Sequence, residues 1–160
     1  MSINMFLRLD NVTGESKDMN HKGWTDVISF NWGAVQPNNM SVGGGGGTGK
    51  VCFNDLCVEA LIDKSTPTIL KLCSTGKHIG TVEMSVCKAG GSQIEYARII
   101  LSDVLVTAVI FSGSNPDDTV GVRYTFQGSV VKQKYWEQTQ QGGKGAESAM
   151  GWSIKENREV

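Results

Sequence analysis

The sequence predicts a mainly β protein: two antiparallel sheets closing into a β-barrel with one short flanking α-helix. Apolar residues recur at every second position through most of the chain, the period of a half-buried strand. Glycine-rich and polar turn signals separate these runs, seven or more of them, without the strand-helix rhythm of a parallel sheet. A single segment, DKSTPTILKLC, carries helical spacing. A length of 160 residues suits one domain, 1–160.

The first run alternates Ile3, Met5, Leu7 and Leu9 with Asn4, Phe6 and Arg8. The loop that follows, NVTGESKDMNHKG, holds Glu15, Ser16, Asp18 and His21, the residue types of a hydrolase triad. Ser16 lacks the G-x-S-x-G setting that exposes a nucleophile on a strained turn, so the loop reads as solvated. From Trp24 to Trp32 a second alternation sets Trp24, Ile28, Phe30 and Trp32 on one face and Thr25, Val27, Ser29 and Asn31 on the other. In a monomer a polar strand back is plain solvent-facing surface. In an assembly it can line a wet passage.

Gly43, Gly44, Gly45, Gly46 and Gly47 lie in MSVGGGGGTGK. Gly44, Gly49 and Lys50 match the first seven positions of a phosphate-binding loop, but the magnesium-binding hydroxyl is replaced by Val51 and strand formers follow instead of a helix. The run reads as a long flexible connection that can cross a neighbour's surface because it has no side chains to clash. Beyond it, Val51 and Phe53 share one parity and Leu56, Val58 and Ala60 the other, which places a bulge near Asn54 and Asp55.

In the helix, Thr66 reads as the cap, Pro67 as the first helical residue and Gly76 as the left-handed stop, with Ile69, Leu70 and Cys73 forming an apolar stripe. Strands return at Ile79 to Lys88, with Val82, Met84 and Val86 inward, then at Ile94 to Leu101, Val104 to Phe111 and Val120 to Tyr135, and near Trp152 and Ile154. The segment from Ala89 to Ser92, with Gly90 and Gly91 at its centre, reads as a turn, and Gly113 to Asp118 as another.

A net charge of -1 and a pI near 6.1 exclude a nucleic-acid binder, which needs a basic patch. The start MSINMFLRLD is too polar for a secretory signal and no segment reaches the length of a membrane span. The expected protein folds in the cytoplasm, does not insert in a membrane, and leaves the cell, if it does, without a cleaved signal. Cys52, Cys57, Cys73 and Cys87 stand singly among apolar residues and read as reduced core thiols, with no metal spacing to His21 or His78. No nucleophile sits beside a base, so neither an enzyme nor a cofactor is expected.

The ordered set MFLRLDNVTGESKD, His21, SFNWG, the glycine run with TGKV, DKSTP, LCSTGKH, KAGG, DVLVTAV, VVKQKYW and GWSIKEN resembles the hemolysin-coregulated protein family, Hcp, of bacterial type VI secretion, over nearly the whole chain. The resemblance implies a β-barrel that forms hexameric rings, stacked into the inner tube of a contractile apparatus. It implies a contractile sheath, a spike protein and small secreted effectors in the ring lumen as partners, and no catalytic residues. On it, Ser29, Asn31 and Thr25 are expected to line the lumen. Gly43 to Gly47 are expected at an inter-subunit or inter-ring contact, and Gly90 and Gly91 with Lys155 at a tip-to-tail stacking contact. The competing expectation is a free-standing adaptor or ligand-binding barrel, which is monomeric.

Overall fold

The computed structural model describes residues 2–37, 50–89 and 93–160. The elements are β1 (Ile3–Leu9), β2 (Thr25–Val27), β3 (Ser29–Asn31), β4 (Ala34–Val35), β5 (Cys52–Phe53), β6 (Leu56–Leu61), α1 (Thr66–Thr75), β7 (Ile79–Lys88), β8 (Ile94–Ser112), β9 (Gly121–Gln138), β10 (Lys144–Ser153) and β11 (Arg158–Glu159). The mainly β class with one short helix is as the sequence reads.

The pairing shows less than the expected barrel. Strands follow the open path β11-β10-β9-β8-β7-β1-β2, with β6 branching from β9 and β3 from β6, while β4 and β5 form a separate ribbon. Among the described residues no continuous ladder closes this path.

Alternation builds the core. Leu7 and Leu9 of β1, Val82 and Met84 of β7, Leu101 and Val104 of β8, and Val122, Tyr124 and Phe126 of β9 are all buried. Each is flanked by residues of the opposite parity that point away. The helix covers one end through Ile69, wholly buried, and the buried Tyr124 hydroxyl meets Thr66 Oγ1 at 2.7 Å, which satisfies both polar groups.

Several local expectations are corrected. Ser65, not Thr66, is the helix cap residue, because Thr66 Oγ1 turns back to accept the Asp63 N–H, which moves Pro67 one position into the first turn. Gly76 does end the helix, with φ 69° and its N–H on Leu72 O. The two strands expected at Ile94 to Leu101 and Val104 to Phe111 are one, β8, because Asp103 takes φ 51° within the strand without ending it. Near Asn54 and Asp55 the chain passes between two strands instead of bulging within one, and Asn54 N–H bonds Gly33 O. Only Cys87 is buried and Cys73 packs against the core half-buried, whereas Cys52 is exposed and Cys57 lies on the outer face of β6, so core placement fails for Cys52 and Cys57.

Candidate functional site

The outward face of β3, β6, β9 and β8 is the candidate site. Register sets Ser29 opposite Glu59, Glu59 opposite Arg123, and Arg123 opposite Ile110. Two residues along, Asn31, Cys57, Thr125 and Ala108 form a second row. The intervening residues Phe30, Val58, Tyr124 and Val109 occupy the other face, where Val58 and Tyr124 are fully buried. A four-strand wall therefore has an apolar back in the core and a front that is polar near its middle.

Glu59 is the centre of the front. Ser29 Oγ donates to its Oε2 at 3.1 Å, and Arg123 donates to its Oε1 from Nε at 3.3 Å and Nη2 at 3.0 Å. The Arg123 hydrogen bond, then the Ser29 one, holds the Glu59 carboxyl below its ordinary range, and the same pairing raises Arg123. The pair is exposed and contributes little to stability, so its use is to present fixed charge on a surface. Thr107 Oγ1 lies 2.6 Å from Thr125 Oγ1 and donates to Asp55 Oδ2, which extends the polar strip at the irregularity between Val106 and Ala108.

Thr25 does not belong to this face. Met5 pairs Val27 and Leu7 pairs Thr25 along β2, so the odd residues there face the core, whereas in β3 the even Phe30 lies opposite buried Val58. The parity changes at Ile28, whose N–H bonds Glu59 O as the chain passes from β1 to β6. Thr25 is therefore 4% exposed, with its hydroxyl 3.1 Å from Ser65 Oγ, and is withdrawn as a surface candidate. Ser29 is half-buried and Asn31 exposed, on one face. Lys155 lies elsewhere: it reaches Asp103 Oδ2 at 3.6 Å, where His78 and Ser129 also converge, beside a groove of about 570 Å³. Gly43 to Gly47, Gly90 and Gly91 fall outside the described residues.

The sequence reading missed Glu59 and Arg123. Their signal was the alternation itself, since Cys57 and Glu59 interleave with Leu56, Val58 and Ala60, and Arg123 and Thr125 with Val122, Tyr124 and Phe126.

A triad-like cluster does form, but with a different serine. Asp18 Oδ2 accepts from His21 Nδ1 at 2.6 Å, and His21 Nε2 lies 3.0 Å from Ser85 Oγ. Ser85 is fully buried and its hydroxyl is committed to Glu95 Oε2 instead of to His21, so the three do not form a nucleophile open to a substrate carbonyl. The cluster instead ties the loop carrying Asp18 and His21 to β7 and β8. It predicts acid sensitivity. The His21 hydrogen bond sets Asp18 below its ordinary 3.8, and for Glu95 the upward push of burial is outweighed by Ser85, Arg98 and Lys144, leaving it below 4.5. Both stabilise the fold in full above those unfolded values and lose that contribution as pH falls through the lower folded ones. Urea midpoints should hold at pH 5 and above and drop below about pH 4, and Asp18→Asn should flatten the decline.

The fold defines a mainly β protein with a charged outward sheet face, and comparison with known proteins names its family. The family model described as "Type VI secretion system effector, Hcp" matches residues 6–135. Protein hcp1 of Pseudomonas aeruginosa is 40% identical over 159 residues, covering 98% of each chain. Hcp1 from Salmonella typhimurium superposes with a TM-score of 0.84 at 30% identity over 100% of both chains. A further type six secretion system protein superposes at 0.93 with 28% identity, over 99% of this chain and 100% of that one. The chain belongs to the Hcp family of type VI secretion proteins. No helix among the described residues is long and apolar enough to cross a membrane.

Proposed function

We propose that this chain is the structural subunit of the type VI inner tube: it forms hexameric rings, the rings stack, and the front of β3, β6, β9 and β8 is the wall of the lumen. Small effectors ride against that wall, and the tube, assembled in the cytoplasm within a contractile sheath and tipped by a spike protein, is expelled. The carrying observation is the two-faced sheet, whose outward rows of Ser29, Glu59 and Arg123 and of Asn31 and Thr125 have no core to cover. A wall that cargo slides along is served by polar groups already paired with one another, as Ser29, Glu59 and Arg123 are. Barrel closure is part of the proposal. It is supported by the segment 25–31, which pairs β1 at one end and β6 at the other, with Ile28 between.

Ring formation by one copy on the next is a heterologous contact that closes by rotation. Gly43 to Gly47 serve the contact with the adjacent subunit or ring, and Lys155 with Gly90 and Gly91 the stacking contact. Light scattering after size exclusion should give a six-subunit mass; a monomer at every concentration would favour the free-standing adaptor. Ser29→Lys or Asn31→Lys should leave that mass intact and lower effector retention on the purified ring about tenfold, read by co-purification. Full retention by both variants removes the lumen assignment.

A further inference from the structure

His21 is a buried ionisable group with a hydrogen-bonding partner on each ring nitrogen. Its Nδ1 donates to Asp18 Oδ2, and its Nε2 lies 3.0 Å from Ser85 Oγ, whose own proton is on Glu95 Oε2 at 2.5 Å. The hydrogen count along this chain fixes its charge. With the hydroxyl proton on Glu95, a lone pair of Oγ faces His21, and the 3.0 Å contact is a hydrogen bond only when Nε2 also carries a proton. The arrangement is that of an imidazolium between two carboxylates. The same atoms also serve the singly protonated ring. When the Ser85 hydroxyl turns about its Cβ–Oγ bond it donates to Nε2, and Glu95 keeps Arg98 Nε at 2.8 Å and Lys144 Nζ at 3.2 Å.

Other charges around the ring have partners of their own. Arg8 of β1 pairs Asp10 and Glu83, Arg98 of β8 bonds Glu83 and Glu95, and Lys144 of β10 reaches Glu95. Asp26 of β2 lies opposite Phe6 and is exposed, and burial pushes the Cys87 thiol up, which keeps it neutral. Among the described residues Asp18 has no cation but the ring, its other donors being the neutral Gln93 side chain and the Asn20 N–H. A depression of about 320 Å³, lined by Asn20, His21, Cys87, Glu95, Arg98 and Lys144 among others, connects the cluster to solvent.

We propose that Ser85 is a two-way hydroxyl relay that lets His21 gain and lose a proton inside the fold with no buried polar atom left unpaired. As pH falls, a solvent proton adds to Nε2 and the hydroxyl turns from Nε2 to Glu95; the new N–H is the one bond formed, and none breaks. As pH rises both moves reverse. A buried histidine without such partners lowers stability when it must charge. His21 has its counter-charges in place, so the protomer keeps its fold between neutral and mildly acidic surroundings. The relay lies within one protomer and does not depend on the ring.

The test compares urea midpoints and nitrogen-15 spectra of the histidine ring at about pH 7.5 and about pH 5, on the full chain in a His78→Gln background that leaves one imidazole. On acidification the ring should pass from one protonated nitrogen to two while the midpoint holds. Ser85→Ala leaves the Nε2–H of the charged ring unpaired, so the folded chain takes that proton less readily than the unfolded one and stability falls as pH falls. Between the two pH values its folded-to-unfolded ratio should drop about tenfold more than that of the background. Ser85→Thr, which keeps the hydroxyl, should restore the flat profile. If Ser85→Ala does not fold, Glu95→Gln gives the same reading, because it removes the negative charge that receives the turned hydroxyl. A background midpoint that falls on acidification overturns the proposal, as does a Ser85→Ala profile parallel to it. So does a ring with the same number of protons at both pH values, which would make the cluster a fixed one.

Discussion

His21→Ala should lower the unfolding free energy of the protomer by about 3 kcal/mol. The imidazole is 4% exposed, stacks on Phe6 at 4.2 Å between ring centroids and meets Trp24 edge-on at 4.8 Å. Truncation leaves a cavity between two aromatic rings and removes ring partners from Asp18 and from buried Ser85. Each effect alone is worth about 1–3 kcal/mol, and they share one side chain, so the sum is not simply additive. His21→Phe separates them: it restores the stack but not the two imidazole hydrogen bonds, leaving Ser85 with Glu95 and Asp18 with Gln93 and Asn20, so it should recover about half of the loss. Urea unfolding at fixed protein concentration measures both. A midpoint unchanged in His21→Ala would mean that the loop is not held by this side chain.

That loop shows where sequence reading stops. The presence of Asp18 and His21 near a serine was visible, but the serine that completes the cluster is 64 positions away from the histidine, and only the pairing of β1 with β7 brings it near. Glu59 and Arg123 are likewise 64 apart and meet because β6 and β9 are neighbours. Period-two alternation, by contrast, is local, so the inward faces at Val82, Met84 and Val86 could be read directly. The parity change at Ile28 has no local mark, since Val27 and Ile28 are both apolar strand formers and either can face either side. Thr25 was misplaced for that reason while Ser29 and Asn31, beyond the change, share a face. Family membership was legible for a different reason: the order and spacing of many short motifs is a joint signal that no single strand carries.

The second large effect is expected where β9 changes partners. The first part of β9, Gly121 to Phe126, pairs with β6, and the part from Val130 onward pairs with β10. Between them lies buried Gly128, opposite Val104 just past Asp103, which takes positive φ and is pinned by His78 and Ser129. A Cβ at Gly128 would sit 2.9 Å from Leu101 Cβ and 3.3 Å from Val130 O. Leu101 is 1% exposed and a Cβ has no rotamer to escape into, so the backbones themselves must part. Gly128→Val should therefore cost about 3 kcal/mol and Gly128→Ala about half that. The clash is between two named atoms, which makes it separable from a general intolerance of the strand. In a Leu101→Gly background, itself destabilised, Gly128→Ala should cost about 1 kcal/mol less than in the wild type. Equal costs in the two backgrounds would place the strain elsewhere. If this change of partner is what aims the wall of β3, β6, β9 and β8 relative to β10, Gly128→Val should also disturb ring mass at temperatures where the protomer remains folded, a consequence that His21→Ala, acting at the other end of β7, should not share.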